Sequence, residues 1–599
     1  MNNIKRIAAK FNLETIIIAS LLIALFIWFV LVIVATNKGF NISDEGLYMY
    51  YFSLAENSKT TINFTSFHVF QNSLFPFLKP TIQNLRLERL FLSILVSIVL
   101  FFSSVKFLSS KFNIALNIKN KFVLLIMLLM GVTSSYIFAP QTISYNIFSS
   151  LLLAGSLAII LYEFSYKSNI KRSTKSGLLI GLAISMLVLV KISNSLLIFI
   201  VYLLITLIND YLNSSQFKLI AKLFIIRLAS IVFAFFSFQL IVWGSFNNFF
   251  SFLEQTQAAI ALLSNHTISN LLIRYVDAIP YLLEILLFNH YIILFITTVS
   301  LLYLISKKHI EAAWLMLAVH IYIVFHYDVF IAGGTYTPLQ TIYYIIWMLA
   351  FISIPLFNFK AYRKLNKHQI KQFFYVLTLL IFPLIGIIGT DNFLHIQLSF
   401  YLISWFLLVF IVFQTFKNTL FKNTTLALFC MFSMYQMYTS IYINPYLLNK
   451  PLAEQNKKLV INKSEFIYTT KQFKEEVESI KSTLINNGFK KGDYIFTYSE
   501  MVGLGYLLNA KFPTNNTCWF RSNDDESNMK ILDDFFQSHQ GVKLFFIIDD
   551  RAPYSSQLTS FFANNGYQLD VDYRKVLQQK VHFNKEAYEI TVLAPKKLK

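Results

Sequence analysis

Between Thr15 and Ala35 the chain reads TIIIASLLIALFIWFVLVIVA, twenty-one residues without a charge. About twenty apolar residues in a helix reach across the hydrocarbon core of a bilayer. Lys5, Arg6 and Lys10 precede the stretch. It is longer than the apolar core of a signal peptide, and no small-residue cleavage pattern follows it. It reads as a first spanning helix with its N-terminus in the cytoplasm.

The same signal recurs along the chain at roughly 88–107, 122–138, 143–162, 177–190, 194–210, 219–242, 281–305, 311–329, 338–357, 372–389, 397–415 and 423–442, which predicts about thirteen spans. The connections that should then face the cytoplasm carry Lys106, Lys111, Lys119 and Lys121; Lys167, Lys171, Arg172 and Lys175; Lys218 and Lys222; Lys307 and Lys308; Lys360, Arg363, Lys364 and Lys367; and Lys417 and Lys422. Positive charge on every such loop is the cytoplasmic signature. An odd number of spans puts the tail on the other side, outside the cytoplasm.

Composition agrees. Of 599 residues 56% are hydrophobic and only 14% charged, where a soluble domain has about 25%; the mean hydropathy is +0.56. The net charge of +20 would suggest nucleic acid in a soluble protein. Here 31 basic and 13 acidic residues lie up to Lys450, against 20 and 18 from Pro451 onward, so the excess sits in membrane loops and nucleic acid is not expected as a partner. The 17% of aromatic residues is mostly Phe at lipid-facing spacing. Cys430 and Cys518 cannot form a disulfide framework or a cysteine metal cluster.

Two units follow: a membrane region over 1–450, with long external loops at 36–87 and 247–280, and a soluble domain over 451–599. The first loop is rich in aromatic residues (Tyr48, Tyr50, Tyr51, Phe52, Phe67, Phe70), which suits short helices lying at the lipid interface. In the tail a charged helical stretch at 470–487, strands at Tyr494–Tyr498 and Val542–Ile548, helices near 503–509 and 555–565, and strands near 568–573 and 587–593 predict an α/β domain. Asp549-Asp550-Arg551 is its most site-like feature. No dinucleotide fingerprint, Walker loop or His-Glu-x-x-His occurs.

Chemistry concentrates at the predicted external boundary. Asp44 and Glu45 stand side by side just past the first span, in a region with few acids. Ser43 or Asp44 could cap a following helix; alternatively Asp44 is a general base with Glu45 as its orienting neighbour. Lys191 ends a span on the face opposite the cationic loops, where it either snorkels or neutralises a phosphate. Arg86 and Arg89, beside Glu88, are a second candidate phosphate clamp. Tyr145, Asn146, Asn194, Asp391, Asn392 and His395 are candidate substrate contacts on the same face. Arg274 and Asp277, and His320, His326 and Asp328, are weaker; the six-residue spacing of the two histidines does not put them on one helical face, so no metal site is expected.

On these residues the chain resembles the GT-C superfamily of polytopic glycosyltransferases, in particular bacterial relatives of protein O-mannosyltransferases and of lipid A aminoarabinose transferases. The resemblance rests on Asp44-Glu45 in the first external loop and on Pro140-Gln-Thr-Ile-Ser-Tyr-Asn146, Lys191-Ile-Ser-Asn194, Gly389-Thr-Asp-Asn392 and Asn444-Pro-Tyr446. It implies membrane-parallel helices in that loop, an extracytoplasmic tail domain and the first acid as base. It also implies a polyprenyl-phosphate sugar as donor for a bacterial inner-membrane enzyme, with a lipid, glycan or protein hydroxyl as acceptor. Asp277, Glu284, Asp328 and Asp391 stand isolated, so no second acidic pair is there for a metal, and no cofactor is expected. One direct displacement would invert the sugar. A polysaccharide polymerase or ligase would use the same face and donor. A flippase or secondary transporter would instead show paired halves around a midplane site, and no internal repeat is seen.

Overall fold

The computed structural model describes residues 13–54, 65–74, 79–138, 140–167, 169–214, 216–262, 268–288, 291–327, 339–357, 366–389, 394–498, 501–513, 525–539, 541–551, 555–583 and 587–596. The membrane region comprises α1 (Leu13–Ala35), α2 (Asp44–Leu54), α3 (Phe67–Leu74), α4 (Ile82–Lys111), α5 (Ile118–Thr133), α6 (Tyr145–Phe164), α7 (Ile170–Val190), α8 (Ile192–Asn213), α9 (Phe217–Trp243), α10 (Phe246–Leu262), α11 (Ile268–Phe288), α12 (Tyr291–Ser306), α13 (Ile310–His326), α14 (Leu339–Phe357), α15 (Lys367–Ile387), α16 (Leu394–Leu398), α17 (Ile403–Gln414) and α18 (Thr419–Tyr438).

Among the described residues nine helices are long and apolar enough to cross a membrane. A tenth span is added if Val276–Leu287 and Tyr291–Ser306, bent by 80° against each other, count as one. Among the described residues nine or ten crossings, with three further apolar helices, occupy the runs from which about thirteen spans are expected. Each remaining apolar run holds a helix: α13 has 17 residues, α14 has 19 and α17 has 12, of which only α17 is well short of the roughly 17–25 residues of a crossing. Hydropathy registers apolar residues whether they face lipid or protein, and α17 is buried among its neighbours along almost its whole length. The chain is a polytopic α-helical membrane protein with a sheet-containing C-terminal domain.

Local chemistry fixes where the helices start. Asn117, Ser144, Asn169, Asn366 and Asn418 each accept a bond from a backbone N–H of the turn they precede. Small residues then set the packing. Gly177 and Gly181 on α7 lie against Ser230, Ile231 and Ala234 of α9, where an added Cβ would stand 2.8 Å from the Ser230 side chain and 2.7 Å from the Ile231 carbonyl oxygen. Such close approach of backbones is what holds helices together where no hydrophobic force acts between them. At one end of this bundle Arg227 bridges Glu163 (2.5 Å) and Asp210 (2.6 Å), with Tyr202 donating to Glu163 at 2.6 Å. Three helices are thereby joined through a fully buried charge group.

In the tail, β1 (Lys457–Asn462) and β2 (Glu465–Thr469) form an antiparallel hairpin ahead of α19 (Lys471–Asn486). Then come β3 (Tyr494–Thr497), α20 (Val502–Leu508), α21 (Asp525–Ser538), β4 (Leu544–Asp549), α22 (Ser556–Asn564), α23 (Leu569–Asp572), β5 (Tyr573–Val581) and β6 (Tyr588–Pro595). The second sheet has the order β3-β4-β6-β5, with β3 and β4 parallel and the rest antiparallel. The strand expected at 568–573 is instead the short helix α23, and β5 begins only at its end.

This domain is joined to the first loop through the backbone. Tyr468 N–H donates to the Asn37 carbonyl (2.9 Å) and Gly39 N–H to the Tyr468 carbonyl (2.7 Å). Glu465 accepts from Ile82 N–H at 2.9 Å, and the Tyr50 hydroxyl accepts from Phe512 N–H at 2.9 Å. Gly503 N–H donates to the Ile42 carbonyl at 2.6 Å. A Cβ on Gly503 would lie 2.6 Å from Ile42 Cα, and one on Gly46 would lie 2.3 Å from Gly503 Cα. Backbone cannot yield as a flexible side chain can. Gly503→Val is therefore expected to lever α20 off α2 and to speed trypsin cleavage near Lys450–Lys458 by at least about tenfold, the protection being a local opening equilibrium. Gly155→Ala, whose Cβ meets nothing within 4 Å, should leave cleavage unchanged.

Candidate functional site

The tail-facing ends of α4 and α6 converge on the start of α2. There Asn41 and Glu45 bond reciprocally, Glu45 N–H to Asn41 Oδ1 (3.4 Å) and Asn41 N–H to Glu45 Oε2 (3.2 Å). Asn41 thus performs the capping anticipated for Ser43 or Asp44. Both acids fall in the first turn of α2, where the helix dipole favours negative charge.

Their surroundings differ. Glu45 is only 2% exposed and is held by Arg86, whose Nε and Nη2 donate to its two oxygens at 2.9 and 2.8 Å. The Thr142 hydroxyl donates to it as well. The remaining Arg86 donors go to the carbonyls of Ala35 (3.3 Å), Thr36 (3.1 Å), Lys38 (2.8 Å) and Gly39 (2.7 Å). A guanidinium has five N–H groups, and all are engaged by protein. Arg86 is a clamp that closes the turn between α1 and α2, rather than a donor set waiting for phosphate.

Asp44, by contrast, is half-buried. It accepts a hydrogen bond from the Tyr446 hydroxyl, on the loop that follows α18. One turn on, Tyr48 is buried against Ser144 and Tyr145; burial first, and the adjacent Asp44 second, push its hydroxyl well above the usual tyrosine range. A cavity of about 20 Å³ lies between Asn41, Glu45, Arg86, Pro140, Gln141 and Tyr446, room for about one water.

Arg89 is fully buried one turn below Arg86. Its Nη atoms donate to the carbonyls of Pro140 (2.7 Å) and Gln141 (3.2 Å) and to the Ser135 hydroxyl (2.8 Å), and its guanidinium lies 3.7 Å from the centre of the Tyr136 ring. It therefore fixes the Pro140–Asn146 segment that carries Thr142 and Tyr145. Asn146, in the first turn of α6, is buried with its Oδ1 unbonded among the described residues.

A second polar group sits around Lys191, between α7 and α8. Its ammonium donates one bond to the Gly386 carbonyl (2.9 Å) and stands 5.8 Å from the Tyr401 ring centre. An ammonium has three donors. Asn194, with its amide oriented to satisfy both ends, donates to the carbonyls of Ile385 (3.1 Å) and Ile388 (3.3 Å) and accepts from Ser149 (2.5 Å). The start of α6 links this group to the Asp44 group, since Ser149 lies one turn from Tyr145 and Asn146. His395 is buried in α16 with its ring 5.8 Å from that of Tyr281. Asp391 and Asn392 lie outside the described residues, as does Asp328.

His68 on α3 escaped sequence reasoning. It is completely buried, its ring nitrogens make no hydrogen bond among the described residues, and burial pulls it down to about 4. One histidine in an aromatic loop carries no signal that the loop packs it away from water.

No family model and no curated protein matches this chain. Among solved structures it is similar to ArnT from Cupriavidus metallidurans bound to undecaprenyl phosphate, at 11% identity and a TM-score of 0.36, over 96% of this chain and 98% of that one. The site and fold together define a polytopic membrane protein with an acid-bearing loop clamped under a sheet-containing domain.

Proposed function

We propose that the protein is a glycosyltransferase of the GT-C kind, moving a sugar from a polyprenyl-phosphate donor to a hydroxyl acceptor at the outer face of the cytoplasmic membrane. The observation that supports this most is the division of labour within the acidic pair: Glu45 is buried and locked into the Arg86 clamp, while Asp44 stays half-buried and is bonded by the Tyr446 hydroxyl.

In this reading Asp44 takes the proton of the acceptor hydroxyl as its oxygen bonds to the anomeric carbon, and the bond from that carbon to the phosphate oxygen breaks. The polyprenyl phosphate leaves with both electrons of that bond. Lys191, with two N–H groups beyond its bond to Gly386, balances the charge that develops on the phosphate. Glu45, Arg86 and Arg89 position the loop, and Tyr145, Asn146, Asn194, Asp391, Asn392 and His395 are the proposed substrate contacts. Tyr446 has to release Asp44 when the acceptor arrives, because the cavity beside it takes no more than about one water. Single displacement gives inversion.

The test offers purified protein in lipid vesicles radiolabelled sugars on either polyprenyl phosphate or a nucleotide diphosphate, with membrane extract as acceptor. Transfer from the lipid-linked series alone is expected; transfer from nucleotide sugars alone would refute the reading. In the same assay Lys191→Met should lower turnover by about 10²-fold, the size of losing one charge-stabilising donor, while Lys307→Met, at the other end of the bundle, should not.

A further inference from the structure

At the ends of α6, α7 and α9 that point away from the Asp44 site, an open cavity of about 710 Å³ is lined by Tyr162, Asn169, Lys171, Arg172, Lys175 and Leu219. Two of its cations lie on aromatic faces. The Arg172 guanidinium lies 3.9 Å from the centre of the Tyr166 ring, which Lys106 of α4 approaches at 5.2 Å; Lys175 stands 5.9 Å from the Tyr162 ring, and the two tyrosines pack against each other at 5.1 Å. A ring face holds a cation in place without neutralising it.

No carboxylate neutralises them either. Among the described residues Lys171, Arg172 and Lys175 make no ion pair, and the carboxylates of α6 to α9, Glu163 and Asp210, are buried and held by Arg227. Ile170, which lines the cavity, and Phe217, two residues before the lining Leu219, are 44% and 80% exposed. Three unneutralised cations in a recess, at the level where spans end and beside exposed hydrocarbon, match a ligand with a phosphate head and acyl chains.

We propose that this cavity binds the phosphodiester headgroup of an anionic glycerophospholipid, in the leaflet opposite the one that holds the Asp44 site. Arg172 offers the forked donor set that fits phosphate oxygens, with Lys171 and Lys175 as flanking charges. The ring stack of Tyr162 and Tyr166 holds Arg172 and Lys175 in place, and the lipid tails run along Ile170 and Phe217. The site does not depend on what reaction the opposite face performs.

Native mass spectrometry of the full chain in detergent, titrated with phosphatidylglycerol and separately with phosphatidylcholine, tests this. Saturable binding of phosphatidylglycerol is expected. The variant Lys171→Gln/Arg172→Gln/Lys175→Gln should lose about 100-fold in that affinity, at about tenfold or less per charge. The control Lys307→Gln/Lys308→Gln/Lys417→Gln, which removes three other loop cations, should bind as the parent does. Equal binding of phosphatidylcholine, an equal loss in the control, or full binding by the first variant would each overturn the proposal. Should the triple variant unfold, Arg172→Gln alone decides on the same scale: a loss of several-fold supports the site and no loss refutes it.

Discussion

Asp44→Asn is expected to lower the turnover number for sugar transfer by between about 10² and 10⁴, with the donor KM within about threefold of the parent, because general-base catalysis contributes on that scale and only in the transition state. The substitution is conservative where it needs to be. Asparagine keeps an oxygen that can accept from Tyr446, and it occupies the same first-turn position of α2. What it loses is the ability to take a proton. Asp44→Glu, which restores the base at a different reach, should recover part of the rate. A fall in turnover matched by an equal fall in KM, leaving their ratio unchanged, would mean that Asp44 stabilises no transition state and would contradict its role as base.

The second large effect falls on stability. Arg86→Met should destabilise the protein by about 3–5 kcal/mol, since it leaves the buried Glu45 carboxylate without its partner. It also strips donors from four carbonyls between Ala35 and Gly39. Glu45→Gln alone should cost less, because a neutral amide can still accept from Arg86. The double variant Glu45→Gln/Arg86→Met should be more stable than the sum of the two losses by at least about 1 kcal/mol, as groups in direct contact couple. Thermal unfolding in detergent measures all four corners of this cycle. Strict additivity would mean that the pair does not act as a unit.

Sequence made the membrane region visible because lipid and the core of a helix bundle select the same apolar residues. For the same reason hydropathy does not tell a span from an internal helix: α17 is apolar and buried in protein, and hydropathy alone cannot separate that from burial in lipid. The acidic pair stood out by its rarity, yet its division into a clamped Glu45 and a half-buried Asp44 depends on Arg86, forty-one residues away, and no periodicity connects the two. Arg86 read as a phosphate ligand because an arginine near a membrane boundary usually has donors to offer. Here the turn at Ala35–Gly39 presents a set of carbonyls that takes them.

The tail shows the limits of local pattern in another way. The hairpin of β1 and β2 was missed, since Lys457, Lys458, Asn462 and Lys463 dilute the alternation of Leu459 and Ile461. The stretch Gln568–Asp572 reads as extended through Tyr567 and Val571, but Asp572 accepts from Gln568 N–H (3.3 Å) and closes a helical turn. The Gly46–Gly503 contact was out of reach altogether, because two glycines in separate segments announce nothing until the fold brings their backbones together.

The most direct test follows polyprenyl phosphate and transferred sugar in one time course, for the parent and Asp44→Asn at matched amounts in the same vesicles. Equimolar appearance of both products with the parent, and of neither with the variant, is the expected result. Undiminished release and transfer by Asp44→Asn would contradict the account.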